Sequence, residues 1–112
     1  MPASPVDMEH LARYTGGDVA LNAEVLRLFD SQANDLVARL WTILDARDAK
    51  SWKEVTHTLK GAARGIGAFE FADAAAHLEP MDLTDRETAL SGIDVLDGHA
   101  RTVAAFIRAY AA

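Results

Sequence analysis

Apolar residues recur three and four apart along almost all of this 112-residue chain, and no segment sustains the alternation of a half-buried strand. A chain with that one repeat has only stripes to bury, so it must fold by packing helices on helices. Val25, Phe29, Leu36, Leu40 and Leu44 mark a long helix from a cap at Asp18 to about Ala46. After a turn over Asp45 to Asp48, with Asp48 as the next cap, Trp52, Val55, Leu59, Ala62 and Ile66 follow at spacings of 3, 4, 3 and 4. A third helix is expected from about Ala68 to Glu79, with Phe71, Ala75 and Leu78 facing inward. Pro80 to Leu83 interrupts the pattern, and Thr84-x-x-Glu87 has the form of a capping box opening the last helix. That helix carries Leu90, Ile93, Leu96, Val103, Phe106, Ile107 and Tyr110, and Gly92, Asp97 and Gly98 predict a bend or break inside it. Ahead of all these, a short helix from about Asp7 to Tyr14 is capped by Asp7 and ended by Gly16 and Gly17, behind a disordered tail over Met1 to Pro5. The fold expected is all-α, an antiparallel four-helix bundle with a short additional N-terminal helix, forming one domain over residues 6–112.

Composition narrows the function. There is no cysteine, which removes disulfides and thiolate metal sites and suits a reducing cytoplasm. No apolar run approaches a membrane span, and the start MPASPVDMEH lacks the apolar stretch of a signal peptide. The net charge of −6 is unevenly spread: residues 49–67 hold four cations against one carboxylate, a local +3 that leaves −9 for the remainder. A basic patch on an acidic body disfavours nucleic acid and suits a partner with an acidic pocket.

Within that basic segment, His57 lies close to the pole opposite the apolar stripe. Lys50, Lys53, Lys60, Gly61 and Arg64 stand at −7, −4, +3, +4 and +7 from it and share its face. A lone histidine on a polar helix face is usually a solvated residue and nothing more. The glycine beside it is what a bland surface does not explain, since a mid-helix glycine costs about 1 kcal/mol relative to alanine. Close approach by another molecule would compensate. A phosphoryl group on an imidazole brings a charge of roughly −2 and three acceptor oxygens, which a cation one turn away can hold. Lys60 is the best placed for this, with Arg64 further along. His57 therefore suits a phosphorylatable nucleophile, with Gly61 leaving access for the in-line approach that phosphoryl transfer needs.

The run His57-Thr58-Leu59-Lys60-Gly61, continued by Ala62, Ala63, Ile66, Gly67 and Ala68 and then by Phe71, Leu78 and Glu79, resembles the signature of histidine-containing phosphotransfer (HPt) domains. The specific match covers about a quarter of the chain. Ala62 and Ala63 depart from it, standing where a serine often follows the glycine. The resemblance implies a four-helix module that relays phosphoryl groups between receiver-domain aspartates in a multistep two-component phosphorelay. It places the phosphorylated histidine at His57, the phosphate-stabilising lysine at Lys60 and the space-making glycine at Gly61. It also implies response-regulator receivers and a hybrid histidine kinase as partners, a monomeric state, and no cofactor of the chain's own, since the receiver brings Mg2+.

Two other readings stand beside that one: a dimeric phosphotransferase fragment of a histidine kinase, and a docking module that binds a receiver without transfer. The chain has no room for an ATP-binding domain beside the bundle and no phosphate loop, so it is expected not to be an ATP-using enzyme. Docking alone does not require His57 and Lys60 together. His10, His77 and His99 form no i, i+4 metal pair, and His77 is expected to be a partly buried structural side chain. For partner contact the candidates are Lys50, Lys53 and Phe69. Phe69 stands about 200° from Phe71 around its helix, so it either packs at the helix junction or meets a partner.

Overall fold

A computed structural model describes residues 4–111, and within them the chain forms five helices. These are α1 (Met8–Thr15), α2 (Val19–Asp45), α3 (Ala49–Ile66), α4 (Phe69–Leu78) and α5 (Arg86–Tyr110). Aspartates begin four of them. Asp7, Asp18, Asp48 and Asp85 each accept hydrogen bonds from backbone N–H groups of the first turn that have no partner inside the helix. Glycines close two: Gly16 and Gly67 both take the left-handed conformation that an L side chain resists.

Each long helix packs on its neighbours in a ring, α2 on α3, α3 on α4, α4 on α5 and α5 back on α2. Short connections make successive helices antiparallel, which gives the expected four-helix bundle, with α1 laid against α2 and α3. Across the centre, Phe29 of α2 and Phe71 of α4 meet edge to face with ring centroids 5.6 Å apart. Trp52, Leu26, Leu40, Leu59, Leu78, Ile93 and Leu96 are all fully buried around them.

Several local expectations are corrected. The buried stripe of α2 runs through Asn22, Leu26, Phe29, Ala33, Val37, Leu40 and Leu44, so Val25 and Leu36 flank the core instead of centring it. In α3, Ala63 is buried where Ala62 was expected, and Thr56 joins the core because its hydroxyl donates to the Trp52 carbonyl at 2.8 Å. The capping box at Thr84 does not form. Asp82 takes both the N–H and the hydroxyl of Thr84, and the cap passes to Asp85, which accepts from Thr88. The last helix is not broken: α5 runs through Gly92 and Gly98 without interruption. At Gly92 the missing side chain admits a neighbour, since a Cβ there would come within 2.4 Å of Leu78 Cδ2. Of the expected tail, Met1 to Ala3 lie outside the described residues, while Val6, just beyond it, is wholly buried.

Behind Val6 the chain is clamped. The Asp7 N–H donates to the Gly67 carbonyl at 2.9 Å, fastening the start of α1 to the junction between α3 and α4. A Cβ on Gly67 would meet the Asp7 carbonyl oxygen at 2.7 Å, in a backbone with φ of +84°. Gly67→Ala is therefore expected to destabilise the protein by about 1–3 kcal/mol, measured by urea unfolding. Unchanged stability would show that the clamp can slide.

Candidate functional site

The register between α3 and α4 builds the site. The Trp52 indole N–H donates to the Leu78 carbonyl at 2.7 Å in the buried interior, satisfying one of the carbonyls that a helix C-terminus leaves open. The next residue, Glu79, is thereby held beside the middle of α3. One of its oxygens lies 3.1 Å from His57 Nδ1, and the other accepts from Lys60 Nζ at 2.6 Å. The Glu79 carboxyl is held below its ordinary range, chiefly by the Lys60 ammonium and further by His57, against partial desolvation that acts the other way. An ionised carboxylate only accepts, so Nδ1 carries the ring proton. Nε2 is then the nitrogen with the lone pair, and among the described residues it makes no hydrogen bond. The His57 side chain is 68% exposed, while those of Lys60 and Glu79 are 18% and 21% exposed.

The remaining candidates are distributed around this triad. Lys50, Lys53 and Glu54 line a shallow hollow together with His57. Arg64 is exposed and makes no ion pair among the described residues. Gly61 is exposed, and a Cβ built on it meets nothing within 4 Å; the same holds at Gly65 one turn further. His57, Gly61 and Gly65 therefore form a strip with no side chain beyond the ring. Neither glycine is demanded by packing within the chain.

Phe69 opens α4, 42% exposed, while Phe71 is buried. Its ring meets that of His10 edge to face at 5.1 Å, and His10 meets Tyr14 in turn at 5.5 Å. An aromatic edge joins α1 to the α3–α4 junction as a result. His77 is exposed, not partly buried as expected, because it sits on the outer side of α4, where it lines a groove shared with His99 of α5. No group of three or more histidine, aspartate or glutamate side chains among the described residues is arranged to hold a metal ion.

Lys60, the residue expected to stabilise a phosphoryl group, is paired with Glu79. The role of Glu79 is the one that sequence reading missed. Its position in the motif was visible, but its contacts reach back 19 and 22 residues to α3.

A helical bundle thus holds an exposed histidine and a part-buried lysine on the two oxygens of one carboxylate, with open space beside them. The family profile of the Hpt domain matches residues 24–106, and the chain belongs to that family. No curated protein and no solved structure matches it. Hpt domains act in phosphotransfer within two-component phosphorelays, as phosphocarriers rather than ATP-using enzymes, and interact with receiver and kinase partners. No helix among the described residues is long and apolar enough to cross a membrane.

The lowered Glu79 carboxyl carries a pH signature. A group depressed in the folded state adds stability that is fully present above its ordinary value of 4.5 and is lost as pH falls through the lowered one. The gap in urea midpoint between wild type and Glu79→Gln is expected to be widest above pH 4.5 and to close below it. A gap independent of pH would place Glu79 outside the ion pair in solution.

Proposed function

We propose that this chain accepts a phosphoryl group on His57 Nε2 from the aspartyl phosphate of one receiver domain and passes it to the aspartate of another. The observation that carries the reading is the exposed ring whose Nδ1 is held by Glu79, leaving Nε2 directed to solvent beside Lys60. Fixing one ring nitrogen selects the other as nucleophile, as an orienting carboxylate does for other catalytic histidines. The shared carboxylate keeps the Lys60 ammonium next to the ring. With three N–H donors, Lys60 can stay on Glu79 and still meet an incoming phosphoryl oxygen.

The surface suits an acidic partner. Lys50, Lys53 and Arg64 give the face around His57 a positive field on a chain of net charge −6, which steers a carboxylate-lined pocket toward the ring. The receiver's carboxylates and their Mg2+ supply most of the charge stabilisation, and this chain needs no cofactor of its own. The bare strip at Gly61 and Gly65 admits the partner's backbone, and Phe69 with Tyr14 offers apolar contact at its margin. We further assign the chain to the cytoplasm as a monomer serving receiver domains and a hybrid histidine kinase. A docking-only module would leave the matched placement of His57, Glu79 and Lys60 without a task.

Two variants test the reading. His57→Gln should fold as the wild type does by circular dichroism and lose all acceptance from a phosphorylated receiver, because the ring is exposed and contributes little packing. Acceptance persisting in the folded variant would move the site to His10, His77 or His99. Gly61→Gln should be as stable or slightly more so, since helix propensity improves by up to about 1 kcal/mol and the space is empty. Its transfer rate should nevertheless fall at least about tenfold, the effect of losing roughly 1.4 kcal/mol of transition-state stabilisation to a blocked approach. Unimpaired transfer would show that the glycine does not serve access.

A further inference from the structure

We propose that Glu79 is a positioning residue that keeps the Nδ1 proton on His57 through the whole phosphoryl cycle, so that the phosphoryl group always leaves from an imidazolium. The inference rests on the phosphotransfer reading and deepens it. When a neutral ring attacks an aspartyl phosphate, the Nε2 lone pair forms the N–P bond. The P–O bond to the aspartyl carboxyl breaks, and that oxygen departs with the electron pair as a carboxylate. The ring has then gained a positive charge, and its proton is on Nδ1, where the structure places a Glu79 oxygen at 3.1 Å.

What happens next to that proton decides the fate of the phosphoryl group. If it stays, an incoming carboxylate or water oxygen attacks phosphorus, the N–P pair returns to Nε2, and the ring leaves as neutral imidazole. If it is lost to solvent, the leaving group would be an imidazolide anion, and the phosphohistidine is stranded until it is protonated again. The charged groups facing the ring are Lys50, Lys53, Glu54 and Lys60 of α3 and Glu79 at the end of α4. Three cations on α3 favour losing the proton. Glu79 is the carboxylate in hydrogen-bond contact with Nδ1, and Lys60 keeps that carboxylate ionised by holding its other oxygen at 2.6 Å. The lysine is therefore not simply occupied: its pairing with Glu79 keeps the ring a good leaving group.

The test uses phosphoramidate, a small donor that phosphorylates imidazoles without a protein partner, so the result does not depend on finding a receiver. Wild type, Glu79→Gln and Glu79→Ala are phosphorylated, with His57→Gln as the control for reaction at other histidines. Phosphohistidine lifetime at pH 8 and the ring protonation state by 15N NMR are then compared. Glutamine keeps the reach and hydrogen bonding of Glu79 without its charge. Both Glu79 variants are expected to lose the Nδ1 proton of the phosphorylated ring and to hold the phosphoryl group roughly two to five times longer, the size of effect a screened surface charge produces. A Glu79→Gln protein matching the wild type in lifetime and protonation would overturn the proposal, as would lengthening confined to Glu79→Ala, since contact without charge would then suffice. Failure of every receiver to phosphorylate the wild-type protein would sink the phosphotransfer reading instead, and the phosphoramidate comparison would still judge the role of Glu79.

Discussion

The hydrogen bond from the Trp52 indole to the Leu78 carbonyl fixes how far α4 extends along α3. A buried N–H donor has to find an acceptor, and the end of a helix is where unpaired backbone carbonyls are found. Satisfying both at once sets the two helices to a single register. The residue after Leu78 then has little choice of position, and Glu79 reaches His57 and Lys60 across the helix pair. The site is thus a by-product of core packing. Its precision comes from a fully buried tryptophan about one turn and a half from the His57 ring, while that ring itself is exposed.

α3 serves two environments with one repeat. Its inward positions supply Trp52, Val55, Leu59, Ala63 and Ile66 to the core, and its outward positions supply cations, the histidine and bare backbone. The two sets do not compete, because a helix turns about 100° per residue and separates them around its circumference. Chemistry on the outer face is therefore free to vary without disturbing the fold. The same geometry leaves Gly61 and Gly65 without any packing neighbour, so their presence reflects the outside of the molecule.

How much was legible in the sequence follows from the range of each interaction. The caps at Asp7, Asp18 and Asp48 depend on contacts two or three residues away, and they could be read directly. The face of α3 that carries His57 followed from periodicity alone. The cap at Thr84 was misread although it is equally local, because Asp82 competes for the same hydroxyl and a motif of two positions ignores such a rival. Gly92 suggested a break because its propensity was judged without its neighbour Leu78, which arrives from another helix. Phase errors such as Val25 for Leu26 and Ala62 for Ala63 arose where apolar residues adjoin and the period cannot choose between them. The partnership of Glu79 with His57 and Lys60 depends on register between helices, which no single-helix pattern encodes.

The shortest helix is also the one with the slightest hold. α1 packs mainly on α2 and α3, with Leu11 buried between them, and is fastened by hydrogen bonds at its two ends: the Asp7–Gly67 backbone bond, and the hydroxyl of Thr15, which meets Asn22, itself bonded to Tyr110 at 3.1 Å. An eight-residue helix outside the bundle, with Leu11 its one fully buried side chain between the tied ends, is expected to open by local unfolding at a lower free energy than the bundle beneath it. The aromatic edge formed by His10, Tyr14 and Phe69 straddles that boundary, with two rings on the loose element and one on the firm one. The His57 ring is anchored to the bundle through Glu79, whereas the exposed ring of Tyr14 belongs to α1. Opening of α1 would therefore rearrange that aromatic edge while the contacts among His57, Glu79 and Lys60 stay as they are.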